Sequence, residues 1–120
     1  MAFDHRRLDV YRVSVTFVVV MIAEPLARKR RYLADQFRRA GTSIPLNIAE
    51  GSGEFSGQQK RRFYRIARRS AVECVAILDV LRAAQLGNEA QLAEALLDRI
   101  TAMLTAMTKD PPKKPARRES

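Results

Sequence analysis

The residues of this chain best equipped for chemistry are its arginines. In KRRFYRIARRSAVE, Lys60 to Glu73, Arg61, Arg62, Arg65, Arg68 and Arg69 recur at helical spacing. At 100° per residue these five fall on an arc of roughly 120°, with Lys60 adjacent. Phe63, Ile66, Ala67, Ser70, Cys74, Ile77, Leu78 and Leu81 fall on a separate arc on the other side. A guanidinium is a planar fork that donates two hydrogen bonds at once, a geometry suited to phosphate. Arg38 and Arg39 are candidates to extend the same surface. Aromatic residues among the arginines are sparse: periodicity turns Phe63 inward and leaves Tyr64 to stack on a base. No helix-turn-helix signature, RNP motif or zinc-ligand spacing is present to read bases, so contact is expected with phosphates, without sequence preference.

Catalytic chemistry is poorly provided. His5 is the single histidine, in an N-terminal stretch expected to fray into solvent. Cys74, the single cysteine, lies on the apolar arc, where cysteine behaves as a small buried hydrophobe. With no histidine near it, nothing activates a thiolate. The Glu-x-x-His pairs of di-iron bundles are missing. The segment GSGEFSG, Gly51 to Gly57, lacks both the lysine and the preceding strand of a phosphate-binding loop. The expectation is a protein without enzymatic activity, metal or cofactor. Asn47, Glu50 and Glu73 sit in or beside apolar arcs, where an unpaired amide or carboxylate is costly. They are expected to form an interhelical polar network, with Arg38 and Arg39 as available cationic partners.

The elements that must carry these residues are helical. The chain has 120 residues, enough for one domain, and is 47% hydrophobic but only 7% aromatic with few glycines and prolines. The net charge of +9 attracts polyanions over long range. A lone cysteine excludes an internal disulfide and suits a reducing cytoplasm. The apolar run from Val13 to Ala23 is too short to cross a bilayer, which needs about 20 residues. Asp4 and Asp9 also spoil its likeness to a signal peptide.

Four helical segments follow. The first spans about Leu8 to Ala23, with Leu8, Tyr11, Val15, Val18, Val19 and Ile22 on one face, and ends at Glu24-Pro25. The second reaches from about Lys29 to Gly51, with Leu33, Phe37, Ala40, Ile44, Ile48 and Gly51 inward. Pro45 removes the donor to the Gly41 carbonyl, so a kink is expected there, with Thr42 and Ser43 placed to satisfy freed groups. Gly51 to Gly57 reads as a hinge or tight turn. The third helix covers about Gln58 to Ala84 and stops near Gly87. Asn88 with Gln91 resembles a capping box for the fourth, which presents Leu92, Leu96, Ile100, Met103, Leu104 and Met107 inward. Short connections between amphipathic helices make an all-α, antiparallel up-down-up-down four-helix bundle over residues 1–109. Residues 110–120, rich in Pro, Lys and Arg, are expected to be a disordered basic tail.

Three motifs carry a family resemblance: LDVYRVSV (Leu8 to Val15), LADQFRRAGTSIPLNIAEGSG (Leu33 to Gly53) and RFYRIARRSAVE (Arg62 to Glu73). With these the chain resembles the bacterial four-helix-bundle proteins encoded within intervening sequences of large-subunit ribosomal RNA genes. Arg69 stands where that family often has glycine before the serine of the third motif. The resemblance implies an antiparallel bundle assembling as a ring-like homopentamer, with no enzymatic activity attached. It also implies distant kinship to the accessory variability determinant, a basic bundle that partners a reverse transcriptase and nucleic acid in diversity-generating retroelements.

Two functions are consistent with these features. One is a cytoplasmic oligomeric scaffold that binds RNA or DNA through the basic helix face. The other is an assembly or adaptor protein whose basic face docks an acidic protein partner, such as an enzyme acting on nucleic acid.

Overall fold

The 3.6-residue apolar repeat is realised as four helices. In the computed structural model, α1 covers Asp9–Ala23, α2 Arg31–Ser52, α3 Gly57–Ala83 and α4 Gln91–Met107, and a short 3-10 turn, Asp4–Arg7, precedes α1. The structure describes residues 4–23, 31–83 and 91–112. The expected break at Glu24-Pro25, the Gly87 terminator, the Asn88 capping box and residues 113–120 of the expected tail lie outside the described residues.

Each helix packs on its two neighbours in the ring α1–α2–α3–α4–α1, and among the described residues the backbones of the diagonal pairs stay further apart. Along the α2–α3 seam, Lys60 meets Ser52, Ser70 meets Ser43 and Cys74 meets Phe37, so numbers fall on α2 as they rise on α3. The α3–α4 seam runs the same way, from Arg65 at Thr108 to Arg82 at Glu94. Both pairs are therefore antiparallel, and the fold is an all-α four-helix bundle. No described helix is long and apolar enough to cross a membrane.

The core is built around Phe17, Ile44, Ile48, Leu78, Leu97, Ile100 and Leu104, all sealed from solvent. Phe17 and Phe37 join α1 to α2 edge-to-face, with centroids 5.7 Å apart. The inward face of α2 is as expected, with Leu33 only partly buried. That of α1 is rotated. Val10, Val13, Ser14, Phe17 and Met21 line the core, while Val15, Val19 and Ile22 are exposed. This helix is apolar nearly all round, so periodicity alone leaves its face undetermined, and the bulky Phe17 claims the interior.

A smaller rotation affects α3. Tyr64 and Ala71 are buried, and Phe63 and Ile66 are only half-buried. The cause lies across the seam in Gly51: a Cβ there would stand 2.7 Å from the Tyr64 ring and 3.1 Å from the Lys60 carbonyl. Having no side chain, Gly51 lets the tyrosine ring lie against the α2 backbone. On α4, Ala93 and Leu97 are buried, Leu92 is exposed, and Met103 and Met107 pack at the edge of the core.

Helix α2 continues through Pro45. Thr42 donates to the Arg38 carbonyl at 2.6 Å instead of serving the carbonyl that Pro45 leaves free. The segment read as a hinge is a tight turn of four residues between Ser52 and Gly57. The Gly53 amide returns to the Ala49 and Glu50 carbonyls, and the Glu54 amide to that of Gly51. Ser56 Oγ caps α3 by accepting from the Gln59 amide at 3.1 Å, and Lys60 Nζ donates to the Ser52 carbonyl at 2.9 Å. Lys60 is thus committed to closing α2.

Candidate functional site

The arginine arc of α3 lies beside the C-terminal end of α4, and the two build one surface. Arg68 Nε donates to Thr105 Oγ1 at 2.9 Å, and that hydroxyl donates onward to the Thr101 carbonyl at 2.7 Å. Arg65 donates to the Thr108 carbonyl at 3.2 Å and to Asp110 Oδ1 at 3.0 Å. Arg61 Nε lies 3.5 Å from the same carboxylate oxygen. Arg61 is the most enclosed of the five, its side chain only 22% exposed, and its Nε is buried without a hydrogen bond among the described residues. Arg62 reaches back over the ring of Phe63, with Cζ 5.9 Å from the centroid. Arg65, Arg68 and Arg69, with Val72, Thr105, Thr108 and Lys109, line an open groove between α3 and α4.

Charge compensation here is thin. On α3, Lys60 and the five arginines all precede the first acidic residue, Glu73. Asp110 is shared by Arg61 and Arg65, whereas Arg62, Arg68 and Arg69 have no carboxylate in ion-pair range among the described residues. Arg62, Arg68 and Arg69 are also exposed. The stretch of α3 that carries the arc is therefore single-signed, and all of its arginines but Arg61 are exposed.

Other residues read from the sequence fall elsewhere. Arg38 pairs with Asp35 at 3.2 Å, one turn earlier on α2. With Arg39 it lines a separate depression, together with Thr42, Leu46 and Asn47. Tyr64 is buried, its hydroxyl pushed up from the usual phenol range by desolvation, so it presents no face to a base.

The polar network exists, but with other members. Asn47 Nδ2 donates to both the carbonyl and the hydroxyl of Ser43 at 2.8 Å, and Ser70 Oγ donates to Ser43 Oγ at 3.0 Å, linking α2 to α3. Glu50 and Glu73 are exposed, and their carboxylates make no hydrogen bond or ion pair among the described residues. Bringing a carboxylate inward without a partner costs far more than leaving it outside. Serines supply the buried acceptors instead. The acidic link between helices is Glu94, which accepts from Arg82 at 2.5 Å across α3 and α4. That bond draws the Glu94 carboxyl below its usual range.

His5 is not frayed: it sits in the 3-10 turn with its ring edge-on to Tyr11, centroids 4.7 Å apart. Cys74 is sealed in the core, and burial, aided by the charge of Glu73, pushes its thiol up to about 12. Since the unfolded thiol titrates near 9, the folded form stays protonated where the unfolded one ionises, and stability declines as pH rises above about 9. Native protein at pH 8 is accordingly expected to react with a thiol reagent at its unfolding rate, and full labelling within the dead time would contradict the buried placement. Among the described residues no cluster of histidine, cysteine or carboxylate groups has the makings of a metal site.

Sequence reasoning missed the α4 half of the surface, because Thr105, Thr108 and Asp110 meet α3 only after the chain has turned back. It also missed Phe55, which stands fully exposed in the α2–α3 turn.

An antiparallel four-helix bundle with a single-signed arginine face defines the class of this molecule. The family model described as "23S rRNA-intervening sequence protein" matches residues 6–106, and the chain belongs to that family. No curated protein matches it.

Proposed function

We propose that this protein is a non-enzymatic scaffold that binds RNA or DNA through the α3–α4 arginine groove, by phosphate contact and without reading sequence. The observation that carries this reading is that Arg62, Arg68 and Arg69 are exposed on one arc with no carboxylate beside them among the described residues. The Thr105 hydroxyl and Thr108 carbonyl hold two of the α3 guanidiniums in place, which lowers the entropy cost of gripping a strand.

The scaffold acts as a homo-oligomer, with five copies the expectation from family resemblance, in the cytoplasm. Val15, Val19 and Ile22 support assembly: they form an exposed apolar stripe at i, i+4 and i+7 along α1. A ring of copies repeats the basic groove and multiplies its field.

Binding is tested with labelled RNA and DNA strands of unrelated sequence, by fluorescence anisotropy across a salt series. Affinity should be similar for all sequences and fall steeply with salt, the logarithmic slope losing about 0.7 to 0.9 per phosphate contacted. Absence of binding at low salt would end this reading. Light scattering of the same samples gives the copy number from the 13.6 kDa chain mass.

A second reading rests on Asp110. A carboxylate within ion-pair range of both Arg61 and Arg65 supports a carboxylate ligand for these guanidiniums. An acidic segment of a partner protein, such as an enzyme acting on nucleic acid, would use the same groove. Competition by polyglutamate but not by an oligonucleotide would favour it.

A further inference from the structure

Phe55 is an anomaly of the described surface: a phenyl ring fully exposed at the tip of a four-residue turn. Nothing about the fold requires an aromatic there, because a ring left in water contributes no burial. The turn that carries it is firmly held by the Gly53 and Glu54 amides on one side and the Ser56 cap on the other. The ring is thus presented from a fixed support.

Its position relates it to the arginines. Phe55 stands two residues before Gly57, the first residue of α3. The Arg61 guanidinium folds back along that first turn, so that a Cβ on Gly57 would stand 3.0 Å from one of its nitrogens. Two residues span at most about 7 Å of chain. The aromatic ring and the first guanidinium of the row therefore occupy the same end of α3. Asp4, Glu50 and Glu54, with His5, line a depression at the C-terminal end of α2, and its carboxylates disfavour phosphate there relative to the arginine row of α3.

We infer that Phe55 stacks on an unpaired base, and that the strand taken by this surface is single-stranded. The inference rests on the phosphate-binding reading above and adds a substrate class to it. Stacking on an aromatic ring is indifferent to base identity, since every base has a π-face, so it agrees with sequence-independent contact. A continuous duplex keeps its bases stacked inside and offers Phe55 no face.

The chain contains no tryptophan, so Phe55→Trp creates a lone fluorophore at the proposed stacking position. Single-stranded oligonucleotides should quench its emission, and a duplex closed by loops away from the binding region should not. Phe55→Ala should weaken single-strand binding at least about fivefold and leave duplex binding unchanged. If wild-type protein binds single strands while Phe55→Ala binds them equally and the tryptophan is unquenched, stacking is refuted and phosphate binding survives. If wild-type protein binds neither polymer at low salt, the parent reading fails instead. A smaller particle mass for Phe55→Ala would assign the ring to contacts between copies and overturn the inference.

Discussion

Reversal of three charges, R62E/R68E/R69E, is expected to lower affinity for RNA and DNA by at least about a hundredfold at low salt and to flatten the salt dependence by two to three phosphate contacts. Within the α3 arc these are the exposed arginines without carboxylate neighbours among the described residues, so their reversal both removes donors and repels the strand. The bundle should stay folded, because none of the three lies in the core and the Arg68–Thr105 bond that is lost is an exposed one. Arg61 and Arg65 are poorer targets, since they anchor Asp110 and the end of α4. Asp110→Asn is the informative companion: freeing both guanidiniums should strengthen binding. Circular dichroism and thermal melting establish that the triple variant is folded, and anisotropy reads its affinity. Affinity within threefold of wild type in a folded variant would remove the groove from consideration.

Phe17→Ala should cost the bundle about 3–5 kcal/mol, the range for deleting a fully buried phenyl ring. Phe17 is completely buried, edge-on to Phe37, and close enough to α2 that a Cβ on Gly41 would stand 3.1 Å from its ring. Its removal opens a void where α1 meets α2, and the sealed neighbours have little freedom to close it. Domains of this size are stable by only about 5–15 kcal/mol, so the loss is a large share of the total. Denaturant unfolding should show an earlier midpoint at unchanged slope. Thr16→Ala, at the exposed position beside it and outside the apolar stripe, serves as the control and should change stability by less than about 0.5 kcal/mol. A loss below 1 kcal/mol for Phe17→Ala would contradict the rotated face of α1.

The contrast between these residues indicates what was legible in the sequence. Helix α2 was readable almost residue by residue, because Phe37, Ala40, Ile44 and Ile48 interrupt an otherwise polar helix and leave one solution for its face. In α1 the valines spread apolar character around the whole circumference, and the choice between Val15 and Phe17 was made by volume and by a glycine on another helix. Tyr64 was misjudged for a similar reason, since the space that accepts it is provided by Gly51, thirteen positions earlier. The arginine arc was legible because it depends only on helical periodicity within α3. Its counterparts on α4 were not, because their approach is set by tertiary packing. Glu50 and Glu73 show a different limit: a position beside an apolar arc lies at the helix boundary, where a carboxylate can turn to solvent.

Pro45 leads to a last consequence. A helix interior pays about 3 kcal/mol for proline and about 1 for glycine, and α2 holds Gly41, Pro45 and Gly51 within its span. Excised as a peptide, such a segment has no stable conformation of its own. Its helical form therefore depends on packing against its neighbours, chiefly the long helix α3. The seam that seats Cys74 against Phe37 and Ser70 against Ser43 is therefore the place where half of this bundle acquires its shape.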